Sequence, residues 1–248
     1  EQNINETTNG TFTLAKDDVI IYHIEGNNTT VNRTAGSQIL SLRVYDTDKG
    51  DWALSSSGAK IYVTNNTGIN YLALTTTTAI STGGWVNNTN FDPGCTPSQG
   101  SGKFSVGPQN WTGGPTSDNA YYKATNITPV LKINITTIPL TFNISSPRNA
   151  VKFIKYPDPA QYIPISGNIY DDCGGVSGAS VKIIAERETT SKDCSVPGDG
   201  GSGIADQNNG TYNCTFSNAT IYSSGEWSYG YWNVSINATK NYYNSSST

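Results

Sequence analysis

The sequence predicts an all-β protein of two tandem β-sandwich domains. Three observations predict it: many short apolar runs with a period of two, turn residues between them, and an internal repeat. VIIYHI, ILSLRVYD, AKIYVT, VLKINIT, LTFNIS, VKFIKY, SVKIIAE, TYNCTF and YWNVSINAT are rich in β-branched and aromatic residues and bounded by Gly, Pro and Asn. No window longer than one or two turns shows helical periodicity. Short strands at close spacing, with no helices between them, point to sandwiches rather than a parallel sheet.

The repeat sets the domain organisation. TFTLAKDDVIIYHI answers TFNISSPRNAVKFIKY. ILSLRVYDTDKG with SSGAKIYVT answers YIPISGNIYDDCGG with VSGASVKIIA. AYYKATNIT answers NYYNSSST. Three matches in the same order read as an N-terminal extension (1–10), a first domain (11–140) and a second (141–248). The first domain is longer by an apparent insertion, 76–118, rich in Thr, Gly and Pro. After AYYKATNIT the first repeat adds a strand, PVLKINITTI, at the point where the second stops at Thr248. Two readings stand: a longer parent protein, or a strand supplied by a neighbouring subunit, which would build a filament by β-strand addition.

Composition places the chain outside the cell. Of 248 residues only 14% are charged and the net charge is −4, which excludes the basic surface that nucleic acids require. The 26 aromatic residues argue against disorder. No apolar run approaches the roughly 20 residues of a transmembrane span. Glu1 opens the chain without Met or signal peptide, which reads as a processed or excised segment. Cys95, Cys173, Cys194 and Cys214 contain no CxxC pair, and the single histidine, His23, is remote from them in sequence. Disulfides in an oxidising compartment are therefore expected rather than zinc. Cys194 with Cys214, and by elimination Cys95 with Cys173, is one pairing; Cys173 with Cys214 competes with it.

Glycosylation signals carry the functional reading. N-x-S/T sequons occur at Asn5, Asn9, Asn27, Asn28, Asn32, Asn65, Asn87, Asn110, Asn126, Asn134, Asn143, Asn209, Asn213, Asn218, Asn233, Asn237 and Asn244. Chance in a chain of this composition gives roughly six or seven. Asn27 and Asn28 overlap and share one glycan in this reading, and Asn213 stands beside Cys214, so neither Asn27 nor Asn213 is counted as an acceptor. In LKINIT, LTFNIS and YWNVSINAT the sequon residues alternate with apolar ones, so acceptors face water while the apolar set enters the core. Sugars there would replace ionised side chains as the source of solubility and would blunt strand edges.

At GVSGASVKI and NGTYNCTF through GYWNVSINATKNYYNSSS, the second domain resembles the immunoglobulin-like repeats of large archaeal surface proteins. FDPGC, VGPQNW and NAYYKATN hold corresponding places in the first. The resemblance implies cell-surface display, an archaeal source, N-linked glycans and an adhesive, S-layer-like or filament-forming role, with no catalytic residues.

Other chemistry is thinly represented. Asp46, Asp48 and Asp51 in DTDKGD are two to three residues apart in a Gly-containing turn, a pattern that can hold Ca²⁺, although the full twelve-residue loop is missing. A solvated turn is the competing reading. Asp171 and Asp172 occupy the matching place in the second repeat. Trp85, Trp111, Trp227 and Trp232 are candidate sugar platforms, with Trp232 better placed in the core and Trp85 and Trp111 in the insertion. His23 lies in a strand with no nucleophile motif nearby, GxSxG is absent, and no enzyme is expected. The reading is a structural surface glycoprotein, self-associating in a filament, stalk or S-layer-like assembly; alternatively, an adhesin that binds a glycan or protein through 76–118.

Overall fold

The structure, a computed structural model, describes residues 14–33, 35–66, 70–74, 79–95, 104–137, 139–148, 161–217, 230–243 and 246–247. The strands are β1 (Val19–Glu25), β2 (Thr29–Asn32), β3 (Gln38–Asp46), β4 (Asp51–Trp52), β5 (Ala59–Thr64), β6 (Tyr71–Ala73), β7 (Trp85–Phe91), β8 (Gly107–Pro115) and β9 (Leu131–Thr136). They continue as β10 (Thr141–Ser146), β11 (Tyr162–Asp171), β12 (Gly174–Gly175), β13 (Ser180–Arg187), β14 (Thr190–Asp193), β15 (Ala205–Asp206), β16 (Thr211–Ser217), β17 (Asn233–Thr239) and β18 (Ser246–Ser247). One 3-10 turn, Pro197–Asp199, is the helical element among the described residues. None is a helix long and apolar enough to cross a membrane.

Four sheets form two consecutive sandwiches. In the first, β3 lies between β1 on one side and β4 and β7 on the other, and faces the sheet β2-β9-β8-β5-β6. In the second, β11 lies between β10 on one side and β12 and β16 on the other, and faces β14-β13-β17-β18. The strand orders correspond, β1 with β10, β3 with β11, β4 with β12, β7 with β16, β5 with β13 and β8 with β17, while β2 and β15 have no counterpart among the described residues. The two-residue β18 stands beside β17 where β9 stands beside β8.

Alternation explains the layers. Leu131, Ile133 and Ile135 of β9 are buried, whereas Lys132, Asn134 and Thr136 are not. In β3, Leu40, Leu42 and Val44 are fully enclosed. They meet Ile61, Val63, Trp111 and Ile133 of the facing sheet in one apolar cluster. A separate cluster joins Ile165, Ile169 and Phe216 to Ile183, Ile236 and Ala238. Each Leu, Ile, Val and Phe among them contributes about 1.5–3 kcal/mol by leaving water. Cys194, just after β14, and Cys214, on β16, join the two sheets of the second sandwich through its core.

The stretch 76–118 departs from its reading as an insertion. It supplies β7 and β8, and its Val86, Phe91, Phe104 and Trp111 are in the first core. Its sequence hid this because WVNNTNF, which pairs with β3, and GPQNWTGGP, which lies between β5 and β9, carry polar and Gly residues in place of a clean apolar alternation. Glycine there permits close approach: a Cβ on Gly113 would meet the carbonyl oxygen of Lys60 at 2.7 Å. VKFIKY, from Val151, lies outside the described residues; the strand that pairs β11 at the corresponding edge is β10.

Candidate functional site

Between the sandwiches the chain builds a closed, charged junction. Arg33 follows β2 and is fully buried, with no exposed surface at all. Its Nη2 donates to Asp171 Oδ2 and to Asp172 Oδ1, each at 2.7 Å, and its Nε donates to Asp172 Oδ2 at 3.0 Å. Nη1 donates to the carbonyl oxygen of Phe104 at 2.9 Å. The fork thus grips one carboxylate with two nitrogens and a second with one, the geometry for which guanidinium is suited.

The carboxylates are held in turn by both sandwiches. Thr137 Oγ1 donates to Asp172 Oδ1. Tyr243 Oη donates to Asp171 Oδ2 at 3.0 Å, and the Cys173 amide donates to Asp171 Oδ1 at 2.7 Å. Burial pulls the Arg33 pKa down, but hydrogen bonds to Asp172 and Asp171 and their charges outweigh it and raise the pKa. Burial pushes the Asp172 carboxyl up, yet the bonds from Arg33 and Thr137 bring it below the ordinary aspartate value. Tyr243 is pushed up to about 12, first by burial and then by the Asp171 carboxylate.

A covalent link closes the same junction. Cys95, after β7, is bonded to Cys173, between β11 and β12, with Cα atoms 5.2 Å apart. Gly107 opens β8 at φ +113°, and an added Cβ would sit 2.7 Å from the Tyr242 ring of the second sandwich. Beside these contacts a cavity of about 650 Å³ is lined by Arg33, Ser105, Asp171, Val176, Lys240 and Tyr243. Cys95, Asp172 and Cys173 are the single group with metal-ligand spacing among the described residues. Two of its three donors are disulfide sulfurs, which are not thiolates and do not hold a metal.

The DTDKGD aspartates do not converge as a cation site. Asp46 is buried, and its Oδ1 accepts the amides of Asp48 and Lys49 at 3.1 and 2.9 Å. Asp51 accepts Lys49 Nζ at 3.1 Å at the surface. The carboxylates serve the turn's own amides and a lysine, and Asp46, Asp48 and Asp51 form no group with ligand spacing. Asp171 makes the same turn contact in the second sandwich, to Cys173, but is additionally drawn to Arg33.

The described sequon asparagines divide between exposed and half-buried positions. Asn28, Asn126, Asn143, Asn209 and Asn233 are exposed. Asn27, Asn32, Asn65, Asn87, Asn110, Asn134, Asn213 and Asn237 are half-buried. Asn32, Asn65 and Asn237 each turn a carboxamide oxygen inward with no hydrogen-bond partner among the described residues. Asn5, Asn9, Asn218 and Asn244 lie outside the described residues, as does Trp227. Trp111 is fully enclosed with Nε1 donating to the carbonyl oxygen of Gly26 at 3.0 Å, so it offers no platform to a sugar. Trp232 packs against the second core, and Trp85 is half-buried on the outer face of β7.

Sequence reasoning missed Arg33. Its flanks, Asn32 and Thr34, mark it only as the middle of a sequon, and the charge partners are 138 and 139 residues away. The visible signals of the junction are the Cys95–Cys173 pairing, one of the two left open by the sequence, and the paired Asp171 and Asp172 beside Cys173. No family model and no curated protein matches the chain. Among solved structures the chain is similar to the adhesin InvE of Yersinia pseudotuberculosis, at 12% identity and a TM-score of 0.43. That match covers 92% of this chain and 57% of the adhesin, so the chain spans little more than half of its length.

Proposed function

We propose that the chain is a rigid, N-glycosylated spacer segment of an extracellular surface protein, a structural part of a stalk, filament or S-layer-like assembly. The observation that carries this is the junction. Flexible tandem domains meet through small, wet interfaces. Here a buried arginine, two carboxylates and a disulfide fix one sandwich against the other. Two disulfides fit an oxidising compartment. The outward faces of β9, β10 and β17 carry acceptors over apolar inner faces, which fits a glycosylated surface.

Self-association by strand addition would lay an extended segment of a neighbouring subunit along β17, beyond the short β18. Deleting 11–24 is not a clean test of that idea, because it removes most of β1. Electron microscopy of native surface material is the better one. End-to-end strings or a lattice of two-lobed particles are expected; dispersed single particles would contradict assembly. An adhesin remains the second reading, and the outer-face Trp85 favours it. That reading predicts that Trp85→Ala abolishes attachment to a target cell or glycan while leaving the fold intact.

A further inference from the structure

One face of the first sandwich is unusual for a surface. On the outer side of β1, Ile20, Tyr22 and Ile24 are 47%, 44% and 44% exposed. Register places Ile20 beside Tyr45 and Tyr45 beside Trp52 in one row, and Tyr22 beside Arg43 and Arg43 beside Trp85 in the next. The rings interlock: Tyr22 meets Trp52 at 5.9 Å and Tyr45 meets Trp52 at 5.5 Å, both edge-on. The Arg43 guanidinium sits 3.6 Å from the Trp52 ring centre and 4.9 Å from that of Trp85. Its Nε donates to the carbonyl oxygen of Gly83 at 2.8 Å. Contiguous apolar surface of this kind ordinarily has an occupant.

The third row offers a candidate. Ser41 pairs with Asn87, the acceptor of the sequon Asn87-Asn88-Thr89. Ser41 Oγ donates to Asn87 Oδ1 at 2.6 Å, which fixes the plane of the carboxamide and therefore the direction in which a sugar on Nδ2 would leave. Asn87 lies two residues from Trp85 on the same face of β7, about 7 Å along the strand. Among the acceptors in described strands, Asn87 alone has an aromatic ring two residues away in its own strand. A pyranose has an apolar face of C–H groups and a polar rim. Its apolar face matches the electron-rich faces of aromatic rings, and its polar rim matches a guanidinium and carboxamides beside them.

We infer that the N-linked glycan of Asn87 folds back along the sheet and covers Trp85, Arg43 and Tyr22, so that this aromatic face is a binding site for the chain's own carbohydrate. The inference rests on the chain being N-glycosylated. Residue-resolved hydroxyl-radical footprinting of the glycosylated full chain tests it, with glycopeptide mass spectrometry on the same samples. Asn87→Gln is expected to raise labelling of Trp85 and Tyr22 severalfold, while Asn143→Gln leaves it unchanged and Trp111 stays protected in both. Ser41→Ala, which keeps the sequon, is expected to raise labelling partway. Equal labelling of Trp85 and Tyr22 in wild type and Asn87→Gln overturns the inference, as does a bare Asn87 on a chain glycosylated elsewhere. Protection that survives Asn87→Gln but falls on dilution would assign the face to a second copy, and protection induced only by added oligosaccharide would assign it to an external ligand. Both overturn the inference. A chain bare at every sequon would overturn the glycoprotein reading itself.

Discussion

Arg33 is charged where no water reaches it, and its stability depends on both carboxylates and the Phe104 carbonyl remaining in place. Removing one member of such a cluster leaves the others buried and uncompensated. Arg33→Ala is therefore expected to lower unfolding free energy by about 3–5 kcal/mol in urea titrations. Replacing the set together, as Arg33→Met with Asp171→Asn and Asp172→Asn, should cost less than the single change. The pKa shifts fix the pH limits. The Asp172 value is depressed in the folded chain, so its contribution is complete above the ordinary aspartate range and is lost as pH falls through the folded value. Tyr243 is raised to about 12, so its contribution is complete below the ordinary tyrosine value of 10.0 and disappears between there and about 12. Thermal denaturation across pH should show a plateau between these limits, and in Tyr243→Phe the alkaline loss should be smaller.

Within the strands, the face on which a residue lies decides what its replacement costs. Trp111→Ala opens the first core and should cost about 3–5 kcal/mol, whereas Asn134→Gln, on the outward face of the adjoining β9, should stay within about 0.5 kcal/mol. Paired chemical denaturation of the two unglycosylated variants measures the difference. The same logic governs what could be read beforehand. β3, β9, β13 and β17 were legible because one of their faces is apolar and the other polar, which is the period-two signal itself. β7 and β8 were not, since Asn88 and Gln109 are buried polar residues and Gly113 and Gly114 replace side chains where backbones come close. The glycines around Trp111 resemble a loop in sequence, which hides that its ring is enclosed in the core. The outward placement of sequons in β9, β10 and β17 is legible one strand at a time, but the aromatic rows beside Asn87 are not, because they come from four strands and require the register.

At the level of the molecule, the matching strand orders of the two sandwiches are what the repeat in the sequence encodes, while the way they are joined is encoded nowhere locally. The Cys95–Cys173 bond spans 78 residues, and Arg33 reaches 139 residues to Asp172. Such contacts exist only after both sandwiches have formed. A loop of that length gives the disulfide about 4.5 kcal/mol of stabilisation through the unfolded chain, so Cys95→Ser with Cys173→Ser should lower the denaturation midpoint while leaving each sandwich able to fold. The junction should hold the two sandwiches as one rigid body. Spin labels carried by unnatural amino acids at the exposed Tyr121 and Tyr162, one on each sandwich, read it directly through their distance distribution. A single narrow distribution in the intact chain, broadening when Arg33 and the Cys95–Cys173 bond are both removed, is the predicted result. A broad distribution already present in the intact chain would contradict it.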